Sequence, residues 1–411
     1  MKMNNLIKAF AAIAVSVSVA ACNDAEYTPL GAEGGETMVY LNEAASSRGG
    51  LVVMGEEQVS QNLTVRLSSA ADHDVIIKLD VDPTLLDDYN NRMATSYETL
   101  PEEYYHFDKE TVIRAGSVSA APVAVTIEPF KAEGGVAYAL PIAIVECDGA
   151  RIADRPGNFI IELVVEIGEQ PAAEFVTYHC ATQLDPQTDW NLELYEYTLE
   201  WWVNQPSFSI NNQAIFNSGS NDKNTNLYIR FGDVNHSGAN RYAYLQIKTM
   251  GSDQGLESPA PETNPLKTNT WYHFAIVYKA SDGTSTLFMN GEQVSQATSA
   301  SGVPMDIDKV QICHIGSGEE NYRPNNTRMC QVRMWKTART QQELKQYMYI
   351  EPRYSDPNLV FYLPMNEGNN DEGFFHDVTG NGHNGPFGNM RTTYEKNPMR
   401  WTSVNLSSSN N

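Results

Sequence analysis

Basic residues are scarce in this chain of 411 residues: 28 lysines and arginines stand against 51 aspartates and glutamates, a formal net charge of −23. Nucleic acids and anionic lipid surfaces are bound largely through lysine and arginine. The charge balance therefore argues against both as partners. Hydrophobic residues make up 41 % of the chain, which is enough for packed cores and too many for a disordered protein.

No hydrophobic run in the chain is long enough to cross a bilayer. The nearest is the short apolar run 9–21, which follows Lys2 and Lys8 and ends in two alanines before Cys22. These features are typical of an export signal, and the cysteine after small residues resembles the lipobox of bacterial lipoproteins. The resemblance implies that residues 1–21 are removed and that Cys22 carries the lipid. An ordinary signal followed by an incidental cysteine stays open as the alternative.

The residues after Cys22 agree with an exported lipoprotein. Residues 23–26 are partly acidic and resemble the surface-export signal of lipoproteins in Gram-negative gut bacteria. That resemblance implies an outer-membrane protein, anchored by lipid, that faces the cell exterior. Residues 22–35 include Gly31, Gly34 and Gly35 and predict a flexible tether.

Cysteine is also rare, with five in the chain. Apart from Cys22, none of them forms a CxxC pair or a zinc-binding spacing. An exported chain can form disulfides, and Cys313 and Cys330 lie in neighbouring predicted strands. These two residues are either bridged or two buried thiols, and the sequence leaves both possibilities open.

Helix signals are few, whereas alternation of apolar and polar residues recurs along the whole chain. Residues 75–81 and 123–127 show it clearly. Two short helices are expected, one opened by Asp82 and Pro83 and one by Thr340 with Glu343 three residues later. We therefore predict an all-β fold.

A break in the strand pattern at 168–173, which contains a glycine and a proline, predicts a boundary between two domains. Residues 36–168 have about the length of one immunoglobulin-like sandwich, and residues 175–405 have that of one large jelly-roll sandwich.

The first domain resembles the N-terminal domain of unknown function found in surface lipoproteins of starch-utilisation-system-type glycan uptake loci. The resemblance implies an immunoglobulin-like sandwich that serves as a spacer and assembly module. The segments that carry it are 65–68, 85–90, 97–101, 113–116 and 138–142.

The second domain resembles the laminin-G-like members of the concanavalin A-like lectin/glucanase superfamily. The resemblance implies a jelly-roll sandwich with a lectin-like or glucanase-like role. Residues 329–331 depart from the pattern, since family members often have a glycine and acidic residues there. The segments that carry the resemblance are 197–203, 271–278, 287–291, 332–335, 362–368 and 377–382.

The sequence lacks recognisable catalytic motifs. Glucanases of this fold carry Glu-x-Asp-x-x-Glu on one strand, a spacing that places carboxylates on one face, and the chain has no such triplet. The nearest cluster is Glu193, Glu196 and Glu200, which we expect to be solvated. Nucleophile-elbow and His-Glu-x-x-His motifs are absent as well. No catalytic residue is therefore assigned.

Glycan binding has better support, because two predicted strands place polar and aromatic side chains on one face. Tyr228 and Arg230 alternate with aliphatic residues, and so do Tyr242 and Tyr244. Tyrosine rings stack on sugars and polar groups bond hydroxyls. The alternative is an unused solvent face. The further candidates in nearby loops are Asn235, His236 and Tyr322.

Calcium is a weaker possibility. Glu367 and Asp377, near a glycine-rich turn, could supply oxygen ligands. Asp377 could instead cap the turn through nearby backbone amides. No cofactor is otherwise expected.

Together these features predict a non-catalytic, cell-surface glycan-binding lipoprotein. It would capture oligosaccharides or polysaccharides for a neighbouring uptake and degradation system, with transporter components as possible partners. Two alternatives stay open: a glycoside hydrolase with an unrecognised active site, and an adhesion or structural surface module.

Overall fold

The structure is a computed structural model. It describes residues 36–47, 49–55, 57–93, 95–176, 181–185, 190, 192–218, 225–233, 235–313, 326–387 and 399–407. Cys22, Cys180 and Tyr322 lie outside these residues. The described chain is nearly all β, as predicted, and contains no helix long and apolar enough to span a membrane.

Within its described residues, the N-terminal domain contains one α-helix, Thr84–Met93 (α1), and short 3-10 turns at Glu43–Ala45, Glu102–Tyr104 and Glu133–Gly135. Its strands are Met38–Leu41 (β1), Gly49–Met54 (β2), Val59–Leu63 (β3), Val65–Leu67 (β4), Val75–Val81 (β5), Glu98–Thr99 (β6), Tyr105–His106 (β7), Glu110–Ile113 (β8), Val123–Ile127 (β9), Tyr138–Cys147 (β10), Arg151–Ile152 (β11) and Asn158–Val165 (β12).

The strands of this domain pack as a sandwich. A larger sheet has the order β2-β12-β10-β5-β8, with β6 beside β10, and the sheets β11-β1-β4 and β3-β9-β7 lie with it around one core. The alternating pattern of the sequence produces this core, since every second side chain of a strand faces inward. Side chains with no exposed surface include Val65, Ile77, Ile113, Val125, Ile142 and Ile161.

Helix α1 begins where the sequence predicts it. The Asp82 carboxylate accepts a hydrogen bond from the backbone N–H of Thr84 at 3.1 Å. Leu86 and Tyr89 are buried against the outer face of the large sheet. The helix therefore covers the outer face of that sheet and forms a small apolar cluster with it, apart from the main core.

The C-terminal domain contains one α-helix, Gln341–Tyr347 (α2), among its described residues. Its strands are Gly168–Phe175 (β13), Thr182–Gln183 (β14), Leu192–Leu194 (β15), Glu196–Asn204 (β16), Gln213–Asn217 (β17), Leu227–Phe231 (β18), Leu245–Thr249 (β19), Ser252–Glu257 (β20), Trp271–Lys279 (β21), Thr284–Met289 (β22), Glu292–Thr298 (β23), Met305–Ile307 (β24), Gln311–Ile312 (β25), Thr327–Trp335 (β26), Leu359–Leu363 (β27), Phe374–Phe375 (β28), Gly385–Pro386 (β29) and Arg400–Leu406 (β30).

Two facing sheets form this domain. The larger has the order β23-β22-β21-β16-β26-β13-β30, with β27 beside β26, and the smaller has the order β14-β25-β17-β18-β19-β20. A single apolar cluster fills the space between them. Trp201 lies in this core with 1 % of its surface exposed. Helix α2 carries the predicted capping box, in which Thr340 and Glu343 bond each other's backbone N–H groups.

The predicted break in the strand pattern at 168–173 is wrong, because these residues form most of β13. This strand pairs with β30 along its whole length and with β26 near its C-terminal end. Pro171 lies opposite Ser403, ahead of the part of β13 that pairs with β26. A proline is tolerated where a strand has a ladder on one side only. The second domain therefore begins at about residue 167.

The two domains meet at a seam between the end of β12 and the segment after α2. The backbone N–H of Ile167 donates to the carbonyl of Tyr349 at 2.8 Å, and Arg353 donates to the carbonyl of Ser96 at 2.8 Å. Beside the seam lies a cleft of about 1940 Å³ lined by both domains.

The open question about cysteines is answered for the described residues. Cys330 is a buried free thiol, so it is not bridged to Cys313, and the Cys313 sulfur lies 3.6 Å from the Met329 sulfur. Cys147 is also free.

Candidate functional site

The smaller sheet of the C-terminal domain has one apolar and one polar side. On β18, Leu227, Ile229 and Phe231 are buried in the core, so Tyr228 and Arg230 point to the opposite side. Leu245 and Ile247 of β19 are buried in the same core. We call the side that carries Tyr228, Arg230 and Gln246 the polar face.

Strand register aligns the side chains of the polar face in two rows. One row runs Asn217, Tyr228, Lys248 across β17, β18 and β19. It continues through Gln311 and Gln183, because Gln311 donates to Gln183 at 2.9 Å and Asn217 donates to Gln311 at 3.2 Å. Sequence analysis missed these three amide residues. They come from segments far apart in the chain, and no local signal marks them.

The second row centres on Arg230, which is buried rather than exposed as predicted. Its side chain is 8 % exposed and forms an ion pair with Asp233. It also donates to Gln246 at 2.9 Å and to Asn212 at 2.7 Å. Each nitrogen of the Arg230 guanidinium therefore donates a hydrogen bond to an acceptor of the protein. Arg230 holds the Asp233 and Asn212 loops onto the sheet and is not an open contact for a ligand.

The predicted strand positions of Tyr242 and Tyr244 are also wrong. Strand β19 begins at Leu245, and both tyrosines lie in the turn before it. Tyr244 has no exposed surface. Burial raises its pKa. Tyr242 is half-buried beneath the Arg241 guanidinium, which lies 4.7 Å from the ring centroid.

The conformation of this turn depends on Gly232. Its φ of +67° lies in the left-handed region, and a Cβ at this position would be 2.8 Å from the Cβ of Tyr242. The turn therefore folds tightly over the end of β18 and buries Tyr244. Alternation alone could not reveal this, because the strand pattern of the sequence continues through the turn.

His236 lies between two carboxylates at the edge of the polar face. Its Nε2 is 2.9 Å from Glu257 and its Nδ1 is 3.0 Å from Glu262. A neutral imidazole has one N–H, so only the protonated ring donates to both carboxylates. Burial alone lowers the pKa of His236, but the two carboxylates outweigh it and the pKa is raised. The neighbouring Asn235 is exposed.

The polar groups still open to solvent on this face form a compact set. Tyr228 is half-buried, and its hydroxyl donates to Asn212 at 3.0 Å. Lys248, its neighbour across the ladder, is also half-buried and has no partner among the described residues. An aromatic ring beside an ammonium and side-chain amides can stack on a sugar ring and bond its hydroxyls.

The two calcium candidates lie close together but differ in their partners. The Asp377 carboxylate accepts hydrogen bonds from the backbone N–H groups of Tyr362, Thr379 and His383, at 3.0–3.1 Å. This is the turn-capping arrangement that the sequence offered as the alternative. Burial raises the pKa of Glu367. No described group of histidine, cysteine, aspartate and glutamate side chains is placed to hold a metal, so calcium stays a prediction without support here.

Glu200 is buried, which corrects the expectation that its cluster is solvated. Glu193 and Glu196 are exposed, but Glu200 has 1 % exposure on the outer face of the larger sheet. Its carboxylate lies 3.0 Å from Arg333 and 3.1 Å from His273. Burial alone raises its pKa, but Arg333 and His273 outweigh burial and hold the pKa well below its usual range.

Comparison with known families supports the fold of both domains. Residues 181–345 match the family model of the concanavalin A-like lectin/glucanases superfamily. Residues 35–151 match a model described as an N-terminal domain. The C-terminal domain therefore has a concanavalin A-like fold and follows an N-terminal β domain, as predicted. No curated protein matches the chain.

The solved structures that are similar to this chain include the following three. A structure from Bacteroides ovatus, described as a putative carbohydrate binding protein, is 22 % identical with a TM-score of 0.59, over 90 % of this chain and 98 % of that chain. EndoBT-3987 from Bacteroides thetaiotamicron, with a Man5GlcNAc product, is 20 % identical with a TM-score of 0.28, over 31 % and 30 %. A SAP-like pentraxin from Limulus polyphemus is 15 % identical with a TM-score of 0.32, over 43 % and 80 %. The first shares the two-domain fold, and the other two are too distant to say more.

Proposed function

We propose that the protein binds a glycan on the polar face of the smaller sheet. The observation that carries the proposal is the half-buried Tyr228 ring, set between Asn217 and Lys248 on a sheet whose other side is core. A concanavalin A-like fold hosts both lectins and glucanases, so the argument rests on this site and not on the fold alone.

The chemistry of the face suits a hydroxyl-rich ligand. The Tyr228 ring offers an apolar surface, and Lys248 and Asn212 offer hydrogen-bonding groups beside it. Arg230 and its acceptors keep this surface rigid, which lowers the entropy lost on binding. The Bacteroides ovatus structure, which shares the fold, is described as a carbohydrate-binding candidate and agrees with this function.

Replacing Tyr228 tests the proposed face. A glycan array first identifies a ligand of the mature protein, and calorimetry then compares variants. Tyr228→Ala should weaken binding about tenfold, because the stacking surface is worth about 1.5 kcal/mol. Tyr195→Ala is the matched control, since Tyr195 is exposed but lies away from the face. Equal affinities of the two folded variants would refute the proposed face.

We further propose that the protein does not hydrolyse its ligand. The sequence contains no Glu-x-Asp-x-x-Glu triplet, and the buried Glu200 lies on the other sheet, where its carboxylate already has partners. Incubation with the glycans found on the array, followed by product analysis, tests this. Release of shorter sugars would identify a glycoside hydrolase instead.

The proposed place of action is the outer surface of the outer membrane, where the protein would capture glycan for a neighbouring uptake system. The basis is the lipobox-like sequence that ends at Cys22. Two or more acyl chains give stable anchoring where one does not.

Cys22→Ala should therefore release the protein from the membrane fraction. The measurement is fractionation followed by mass spectrometry of the N-terminal peptide, with Cys147→Ala as the control. Retention of the Cys22 variant in washed membranes, with no lipid on the native peptide, would refute the anchor.

A further inference from the structure

The cleft between the two domains contains an arginine side chain that forms no ion pair and no hydrogen bond among the described residues. Arg339 lies just before α2 and lines this cleft, together with Trp335 and Tyr347 of its own domain and Tyr97 of the N-terminal domain. The cleft is on a different sheet from the polar face. Its properties are therefore independent of the glycan site proposed above.

Two aromatic rings hold the Arg339 guanidinium. Its central carbon lies 4.3 Å from the Trp335 ring centroid and 5.3 Å from that of Tyr347. Trp335 is itself fixed, since its indole N–H donates to Glu200 at 2.7 Å. Stacking of this kind orients the plane of a guanidinium but uses none of its N–H donors.

The donors of Arg339 have no acceptor. Among the described residues its side chain forms no ion pair and no hydrogen bond, and its Nε is buried. Burial lowers the pKa of Arg339, because it disfavours the charged form.

Two of the carboxylates near Arg339 are already engaged. The Glu200 carboxylate bonds Arg333, His273 and Trp335. The Glu343 carboxylate accepts from the backbone N–H and the hydroxyl of Thr340. Neither is within ion-pair distance of Arg339, although both lie near enough to favour its charged form.

We propose that the interdomain cleft binds an oxyanion, the carboxylate, sulfate or phosphate group of a small ligand, through Arg339. A planar guanidinium can donate two parallel N–H groups to such an anion in a bidentate hydrogen bond. The cleft, at about 1940 Å³, is large enough for a group of sugar size beside the anion. The net charge of −23 disfavours general anion adsorption, so binding here must be local.

Calorimetry on the mature two-domain protein tests this with sodium glucuronate, sulfate and phosphate, against glucose and chloride at equal ionic strength. At least one of the three oxyanions should bind, and the comparison among them identifies the preferred group. Arg339→Gln should weaken that binding at least about tenfold, since a charge-assisted contact of this kind is worth more than about 1.4 kcal/mol.

Two control variants separate the site from general effects. Arg241→Gln removes an arginine that also lies over an aromatic ring but outside the cleft, and Tyr228→Ala alters the polar face. Both should bind the anion like the native protein. If Arg339→Gln does not fold, Arg339→Lys is the second variant. It keeps the positive charge but lacks the planar bidentate donors of arginine, and it should bind a carboxylate more weakly than the native protein does.

Absence of binding by the native protein to all three oxyanions would overturn the proposal. Equal binding by the native protein and a folded Arg339 variant would overturn it as well. Neither result depends on whether Tyr228 contacts a glycan, so the two proposals fail separately.

Discussion

Glu200→Gln is expected to destabilise the C-terminal domain by about 3–5 kcal/mol, the usual cost of breaking a buried ion pair. Glutamine keeps the size of the side chain but removes the charge that balances Arg333, 3.0 Å away. The guanidinium of Arg333 is buried with 1 % exposure and cannot regain water. Glu196→Gln, on the same strand but exposed, should change the free energy of unfolding by less than about 0.5 kcal/mol.

Urea unfolding of both variants against the native protein measures this difference, and its pH dependence gives a second check. Because the pKa of Glu200 is lower in the folded protein than its ordinary value of 4.5, the carboxylate stabilises the fold above that pH. The stabilising effect is lost as the pH falls through the acid range. The difference between native protein and Glu200→Gln should therefore be largest near neutrality. A Glu200→Gln effect as small as that of Glu196→Gln would show that the cluster adds no stability.

A fragment that begins at residue 176 is expected not to fold, whereas residues 167–407 should fold cooperatively. Strand β13 lies between β26 and β30 in the larger sheet and is absent from the shorter fragment. Without it β30 has no partner, an edge of β26 is exposed, and Phe175 no longer fills its place in the core. Together these losses are expected to exceed a typical domain stability of about 5–15 kcal/mol, so the shorter fragment should be unfolded while the longer one folds.

Circular dichroism and thermal unfolding of the two fragments make the comparison. Cooperative unfolding of the shorter fragment would restore the boundary suggested by the sequence. Failure of both fragments would mean that the C-terminal domain needs the seam at Ile167 and Arg353, and that the domains do not fold independently.

Much of the fold follows from local patterns. Alternation along β5, β9 and β18 predicted which side chains face the core, because a strand turns successive side chains to opposite sides. Helix α2 was predicted from its capping box, since Thr340 and Glu343 complete that motif within one helical turn. Tyr228 was placed on the polar face for the same local reason.

The remainder depends on contacts between distant segments. Pro171 made the sequence of β13 look like a break in the strand pattern. Only the pairing of β13 with β30 shows that this strand belongs to the second domain. Composition and alternation by themselves determined an acidic, nearly all-β protein with an apolar and a polar side to its β18 strand. The tertiary structure alone decided that Arg230, Tyr244 and Glu200 are buried and that the Arg339 side chain has no acceptor within the part of the chain that the structure describes. The physical reason is that burial and charge pairing depend on which segments fold over a side chain, and those segments are far away in the sequence.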